Sequence, residues 1–490
     1  MNNKDFQSKT GFNLENTYIT LPKVFFSEES PKKSENPKLV KLNHDLASEL
    51  GLKEEFLNSD LALKIFSGIE TFPNITPIAL AYAGHQFGHF TMLGDGRAIL
   101  LGEHVTKEGN RYDIQLKGSG STIYSRRGDG KATLSSMLRE YIISEGMHGL
   151  KIPTTRSLAV VTTGEEVLRE GFKKGAILTR IASSHIRVGT FSYAAQFCSI
   201  DDLKSLANYT IERHFPNILK NKNKYLLFLE EVIKSQAKLI SLWQSVGFIH
   251  GVMNTDNMAI SGETIDYGPC AFMDDYDTNT VFSSIDYTGR YSYGNQPNIA
   301  LWNLARFSEA ILPLLSEDSD ETINIANRAL SKFPKIYKEY WLNKMRAKLG
   351  LFMKKESDEL IIEGLLSTME KYKADFTNTF ISLTLDEFED HEIFKSDEFK
   401  TFYTLWKNRL KEENKDCDEV KKLMMDNNPY VIPRNHLVEE ALKNADKGDF
   451  TFFDSLLEAL KNPYSYSKDL EKFTKLPEKS STPYVTYCGT

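Results

Sequence analysis

The chain has 490 residues, 41% hydrophobic and 26% charged, enough apolar material for a sizeable core and a length that suggests about three domain-sized units. A net charge of −7 excludes a global basic field for nucleic acid or anionic lipid, so any phosphate recognition must be local. Four scattered cysteines without a CxxC pair exclude a disulfide framework or a thiolate zinc site, and no run of 18 apolar residues predicts a membrane span. The polar first residues carry neither a signal-peptide nor a transit pattern, so the expected compartment is a reducing cytoplasm.

In chain order, Ser27 to Pro37 reads as a surface loop, and "LVKLNHDLASELGL" as a short helix stopped by Gly51. From about Leu93 to Ile181 the pattern is strand-rich. "AILLGE" is one strand; "RYDIQLKG" alternates, with Tyr112, Ile114 and Leu116 on one face and Asp113, Gln115 and Lys117 on the other. "ATLSSMLREYIISEGM" is helical, its buried stripe formed by Leu134, Met137, Leu138, Tyr141 and Ile142. "RSLAVVTT" and "GAILTRI" read as two strands around a charged hairpin. From about Phe191 helices dominate, including the amphipathic "KYLLFLEEVIKSQAKLISLWQSVG", and helical patterns continue to Leu460. "NMAISGETIDYG" reads as a short hairpin turning at Gly262-Glu263.

Chemistry concentrates in a few stretches. "LGDGRA" sets Gly94 and Gly96 around Asp95, ahead of Arg97; such glycines let backbone N–H groups approach a phosphate, although alone they are more often a tight turn. Lys117 ends a strand and Glu140 lies 23 residues on, within the helix; alone each is an ordinary surface charge. "TRIASSHIRVG" supplies Arg180 and Arg187, and "YSRRGDGKA" supplies Asp129 and Gly130. "IHGVMNTDN" keeps the His250–Asn257 spacing of the protein-kinase loop H-R-D-L-x-x-x-N, but Val252 stands where the Asp belongs and Asp256 precedes the Asn. Asp266-Tyr267-Gly268 follows where kinases carry D-F-G; Asn257 and Asp266 are hard oxygen donors suited to Mg²⁺. His85 and His89 are spaced for a helical zinc pair, yet Gly84 and Gly88 disfavour that helix and no third ligand is evident.

"AYAGHQFGHF", "LGDGRA", "QLKGSGSTIYSRRGDGKA", "LREYIISEGMHGLKIPTTRSLAVV", "IHGVMNTDNMAISGETIDYGP" and "NPYVIPRNH" together resemble the selenoprotein O, or YdiU, family, from about Asn13 to the end of the chain. The resemblance implies an α+β, bilobal protein-kinase-like fold with a β-rich N-lobe, an α-rich C-lobe and a helical C-terminal extension. The expected divisions are 1–185, 186–320 and 321–490. It implies transfer of AMP from ATP to protein hydroxyls, with the nucleotide inverted relative to a kinase. By that resemblance Gly94, Gly96, Arg97, Lys117, Asp129, Gly130, Arg180 and Arg187 match nucleotide-binding positions, and Glu140 orients the lysine. Asp256 matches the proton acceptor, and Asn257 and Asp266 the ligands of Mg²⁺, with Mn²⁺ as the alternative ion. The expected partners are ATP and hydroxyl-bearing proteins, without nucleic acid or membrane, and the expected state is a monomer. Cys488 matches a tail position that family members use for redox control, with Cys270 as the cysteine available in the segment after Asp266.

Two other readings stay open at this point: transfer of the γ-phosphoryl group with Asp256 as a displaced base, and an ATP-binding scaffold without activity. Val252 motivates the second, while the retained Lys117, Glu140, Asn257 and Asp266 oppose it.

Overall fold

Alternation of apolar and polar residues builds the first half of the molecule into one antiparallel sheet. The computed structural model describes residues 3–388 and 390–478 together with Tyr484 and Thr486. The main strands run side by side in the order Phe26–Glu28, Ile78–Leu80, Ala98–Val105, Arg111–Lys117, Phe172–Ala182, Arg156–Leu168 and Lys38–Leu42. Ile99, Leu101, Ile114, Leu116, Leu158 and Ile177 point to one face, where they pack against Leu46, Phe56 and Phe66 of the short N-terminal helices. Leu100, Val160 and Leu178 point to the other, against Leu138, Tyr141 and Ile142 of the helix Leu134–Gly149.

Covering both faces has a consequence for the polar side of the lysine strand. Asp113, Gln115 and Lys117 alternate with the apolar residues as the sequence predicts, but they are buried rather than solvated. Buried polar groups require partners, and the register supplies them: Gln115 lies opposite Arg180 and Asp113 opposite Ala182. Asp113 accepts from Arg213 Nη2 at 2.6 Å and faces His185 Nδ1 at 2.9 Å, so the sheet is cross-linked by ions as well as by its ladder.

The helix Leu134–Gly149 opens on Thr133, whose hydroxyl accepts from Ser136 N, an N-cap that satisfies one of the free N–H groups of the first turn. Met137, Ile143 and Ser144, all buried, lie three or four residues from Glu140, so the glutamate rides on the packed side of the helix and is itself buried.

The long helix Lys224–Ser245 leads into a two-residue strand, Phe248–Ile249, that pairs with Ala271–Phe272. The residues between them hold the sequence motif. The hairpin expected over Asn257–Gly268 does not form. Ala259 bridges to Arg187 and Thr264 to Thr154, so each half of the segment bonds to a different part of the molecule. Gly262 N to Ala259 O, 3.1 Å, closes only a turn. Flanking extended segments outcompeted self-pairing, a tertiary override of the local turn signal.

Further helices surround a second core built on Leu365, Phe376, Phe380, Trp406 and Met424. The last two α-helices, Asn435–Asp446 and Thr451–Lys461, return to the first core, where Phe453 meets Tyr141 with ring centroids 6.3 Å apart. Gly149 permits that packing: a Cβ there would lie 2.0 Å from Leu460 O. Among the described residues, no helix is long and apolar enough to cross a membrane.

Candidate active site

Lys117, Glu140, Arg180, Arg187 and Asp266 come from two strands, two helical segments and a loop, and converge on one point. Lys117 Nζ donates to Glu140 Oε2 at 2.5 Å and to Asp266 Oδ1 at 2.8 Å. Arg180 Nη1 lies 3.3 Å from Glu140 Oε1 and 2.6 Å from Asp266 Oδ1. Arg187 Nη1 donates to Asp266 Oδ2 at 2.5 Å and to the Asp256 carbonyl at 2.7 Å. Three cations therefore share one carboxylate. Burial opposes the charge on Asp266, but Lys117, Arg180 and Arg187 hold its carboxyl well below the usual range. Asp266 sits at φ +62, a left-handed conformation that Asp tolerates better than most residues. Its side chain, 19% exposed, is the part of the cluster that reaches solvent.

Two further carboxylates flank the cations. Asp256 lies in the short 3₁₀ turn Thr255–Asn257, next to Arg187. It is buried, and its Oδ1 has no hydrogen-bond partner. Burial pushes its carboxyl up to about 6, against a backbone hydrogen bond and the charge of Arg187. Two glycines make room for it. A Cβ on Gly84 would stand 2.1 Å from Asp256 Oδ1, and one on Gly189 would stand 2.0 Å from Ala83 O and 3.3 Å from Asp256 Cα. Asp95 is likewise buried and pushed up to about 6, chiefly by burial and against Arg187, whose Nη2 is 4.0 Å away.

Asp95 and Gln115 were not singled out from the sequence. Gln115 Nε2 donates to Asp95 Oδ2 at 3.0 Å, while its Oε1 accepts from Arg180 Nη2 at 2.5 Å and Nε at 3.1 Å. Asp95 also accepts from Leu80 N. The chain Asp95–Gln115–Arg180 fixes the arginine fork. Tyr82 places its ring 4.6 Å from the Arg187 guanidinium, a cation–π contact. The signal for Gln115 was present: it shares the face of Lys117 two residues earlier, at the strand period.

His250 is a brace. His250 Nε2 meets Ile265 O at 2.9 Å, its ring stacks on Trp243, and Gln296 holds its backbone N–H. It thereby ties the Asp256 turn to the Asp266 segment. Asn257 Nδ2 donates to Val252 O at 2.9 Å, which leaves the amide oxygen as the atom to offer a metal. Among the described residues, no group of three or more His, Cys, Asp or Glu is ready to hold a metal ion. The donors present, Asn257, Asp266 and the unpartnered Asp256 oxygen, fit a hard cation that takes its other ligands from phosphates and water.

The remaining sequence candidates lie outside this cluster. Gly94, at φ +126, lies under the Tyr124 ring, 2.5 Å from where its Cβ would be, and a Gly96 Cβ would be 2.9 Å from Tyr124 O. Both glycines are thus required by the packing of the 122–125 turn. The Arg97 carbonyl accepts from Gly118 N at 2.7 Å. Asp129 pairs with Arg169 at 2.9 Å and accepts from Lys131 N, and Gly130 O accepts from Gly120 N at 3.1 Å. His85 and His89 lie on the hairpin Ala83–Gln86/His89–Met92, and His85 Nδ1 meets Thr255 Oγ1 at 3.0 Å. Cys270 is fully buried, with its thiol pushed up to about 12 by burial; Cys488 lies outside the described residues.

Comparison with known proteins places this geometry. Residues 9–461 match the family model described as protein adenylyltransferase SelO. The chain is 78% identical over 490 residues to a protein nucleotidyltransferase YdiU of Clostridium perfringens, with 100% of both chains covered. It is 60% identical over 484 residues to the YdiU protein of Clostridium beijerinckii, covering 99% of each, and 59% identical over 491 residues to that of Brevibacillus brevis, covering 100% of each. Nearly the whole chain is spanned by the family match, and it belongs to the SelO family of protein adenylyltransferases.

Proposed function

We propose that this adenylyltransferase moves AMP from ATP to the hydroxyl of a Ser, Thr or Tyr side chain on a protein, with Mg²⁺ and with the nucleotide turned end for end relative to a protein kinase. The proposed frame is the bilobal one, its N-lobe in 1–185, C-lobe in 186–320 and helical extension in 321–490. The observation that carries the reading is the meeting of three buried cations, Lys117, Arg180 and Arg187, beside a buried carboxylate, Asp256, that has an unpartnered oxygen.

Pyrophosphate is the leaving group of such a transfer, so positive charge belongs where its negative charge develops. Lys117, Arg180 and Arg187 are held rigidly enough to supply it, since Glu140 and Gln115 fix two of them from behind. In the proposed step the acceptor hydroxyl gives its proton to Asp256 as its oxygen bonds the α-phosphorus. The bond from the α-phosphorus to the α–β bridging oxygen breaks, and the electron pair leaves with pyrophosphate. A carboxylate poised near 6 is ionised at neutral pH and remains basic enough for that proton. Asn257 and Asp266 would hold the metal, which adds charge neutralisation for the polyphosphate when bound. Gly94, Gly96, Arg97, Asp129 and Gly130 would then act as an outer rim toward the nucleotide.

The test is which label moves. With α-labelled and γ-labelled ATP, label is expected on protein only from the α position, together with release of one pyrophosphate. Label arriving only from the γ position would overturn the reading.

A further inference from the structure

A cavity that shares no lining residue with the Lys117 cluster carries two lysines that pair with no carboxylate among the described residues. It opens between the helices Lys224–Ser245 and Phe333–Lys348, with a volume of about 220 Å³. Lys238, Ser241, Tyr340, Asn343, Lys344 and Asn427 contribute to its wall, and no carboxylate does. Lys344 Nζ has only a long contact, 3.4 Å, to Asn427 Oδ1.

Lys344 is half-buried, and burial lowers its proton affinity, as do Lys151 and Lys238 nearby. Behind it Lys348 is buried against the rings of Phe380 and Phe376, its ammonium 4.1 and 5.4 Å from their centroids. Burial and Lys344 bring that amine down to about 7. A helix C-terminus favours cations in its last turn, which accounts for Lys344 and Lys348 on one helix. It does not account for Lys238, from the facing helix, or Lys151, from the turn after the helix Leu134–Gly149. Arg346, on the same last turn, shows what a balanced cation looks like here: its Nε donates to Asp358 at 2.7 Å.

Like charges drawn together around a concave surface are unfavourable unless an anion joins them. We propose that this cavity binds a small polyvalent oxyanion of the phosphate or pyrophosphate class, gripped by Lys238 and Lys344. The cavity is below the roughly 300 Å³ at which pockets for drug-sized ligands begin, so a whole nucleotide is too large for it. Asn343 adds a side-chain amide at the same wall, where the Ser241 hydroxyl and the Asn427 amide already donate to Lys238 O and Leu423 O. None of Lys117, Arg180 and Arg187 lines it, so the site is distinct from the candidate active site and stands whether or not the nucleotide is inverted there.

Calorimetric titration and thermal melting of the full chain test the assignment, with pyrophosphate and inorganic phosphate as probes against sodium chloride at equal ionic strength. All runs use the Lys117→Met background, which weakens anion binding at the other site. One anion per chain is expected, with a rise in Tm of about 1–2 °C at tenfold excess over Kd. Adding Lys238→Gln, an exposed change that leaves folding intact, should weaken binding at least tenfold, and adding Lys344→Met should abolish it. In that background Lys344→Met should melt higher than the Lys117→Met parent in chloride, because it removes repulsion without removing the alkyl stem. Binding unaffected by either substitution, or no binding beyond that of chloride, would overturn the proposal. Response to phosphate but not pyrophosphate would assign a monophosphate group as the ligand.

Discussion

Asp266 and Asp358 are both carboxylates clamped by arginines, and they differ in what surrounds the clamp. Asp358 is fully buried; it accepts from Arg346 Nε at 2.7 Å, Arg409 Nε at 2.8 Å and Lys355 N at 2.8 Å. Burial opposes its ionisation, but those N–H groups hold its carboxyl below the ordinary range. The arrangement fastens three helices, and the neighbouring Glu413 lies 2.6 Å from Nη1 at the other side of the Arg409 guanidinium. Asp266 instead takes three cations, reaches solvent, and has two carboxylates beside it, Asp95 and Asp256, whose proton affinities are raised. A network in which each arginine has a carboxylate of its own is a fastening. A network with surplus cations on one acid and an unanswered oxygen next to it can exchange partners, which is what binding and chemistry need.

The largest test of that contrast is Asp256→Asn. The amide keeps the shape and removes the proposed proton acceptor, so transfer should fall by about 10²–10⁴-fold with ATP affinity nearly unchanged. Unchanged transfer would move the acceptor role elsewhere. On the other side, Asp358→Ala leaves buried Arg346 without a carboxylate and Arg409 with Glu413 alone, and should cost about 3–5 kcal/mol in urea unfolding, while residual folded protein keeps its ATP affinity. A loss of ATP affinity without a loss of stability would erase the distinction between the two clamps.

Gly84→Ala comes next. Its Cβ would collide with Asp256 Oδ1 rather than with backbone, so the carboxylate must shift. Displacement on the scale of an ångström should reduce transfer by about 10²-fold with little change in ATP binding. An Ala variant with wild-type turnover would show that Asp256 need not occupy this cradle.

The smallest effects are those of pH. In the proposed role Asp256 must be ionised to accept a proton, and burial pushes its carboxyl up to about 6, so transfer should fall as pH drops through 6, about tenfold per unit below it. Stability has the opposite sign at this group. Its folded pKa lies above the unfolded value, so ionisation destabilises the fold, fully above about 6 and not at all well below 4. Asp256→Asn should therefore be more stable than wild type at pH 8, with the gap closing toward pH 4. For Asp358 the folded pKa is depressed; its contribution is present at neutral pH and lost as pH falls through that value, so Asp358→Asn should be less stable at pH 8. Equal signs for the two Asn variants at pH 8 would refute the comparison.

Much of this was legible in the chain. Period-two alternation over residues 111–117 and the stripe in 134–149 predicted the strand and helix that carry Lys117 and Glu140, because those periods follow from local backbone geometry. The candidate residues Lys117, Glu140, Arg180, Arg187, Asp256, Asn257 and Asp266 were picked by type and order, and the family by contiguous motifs. Three things were not legible. Burial on both sides of the sheet, which turns Lys117 from a solvated side chain into a member of a closed network, depends on helices from residues 44–66 packing on the opposite face. The pairing of Ala259 with Arg187 and Thr264 with Thr154, in place of a local hairpin, depends on segments more than 70 residues away. The reason for Gly84, room for a carboxylate 172 positions later, exists only once the chain has closed on itself. Sequence determined which groups were available and the local geometry that presents them. Tertiary structure alone decided which charges are answered and which are left over, because that balance is set by neighbours distant in the chain and by the exclusion of water around them.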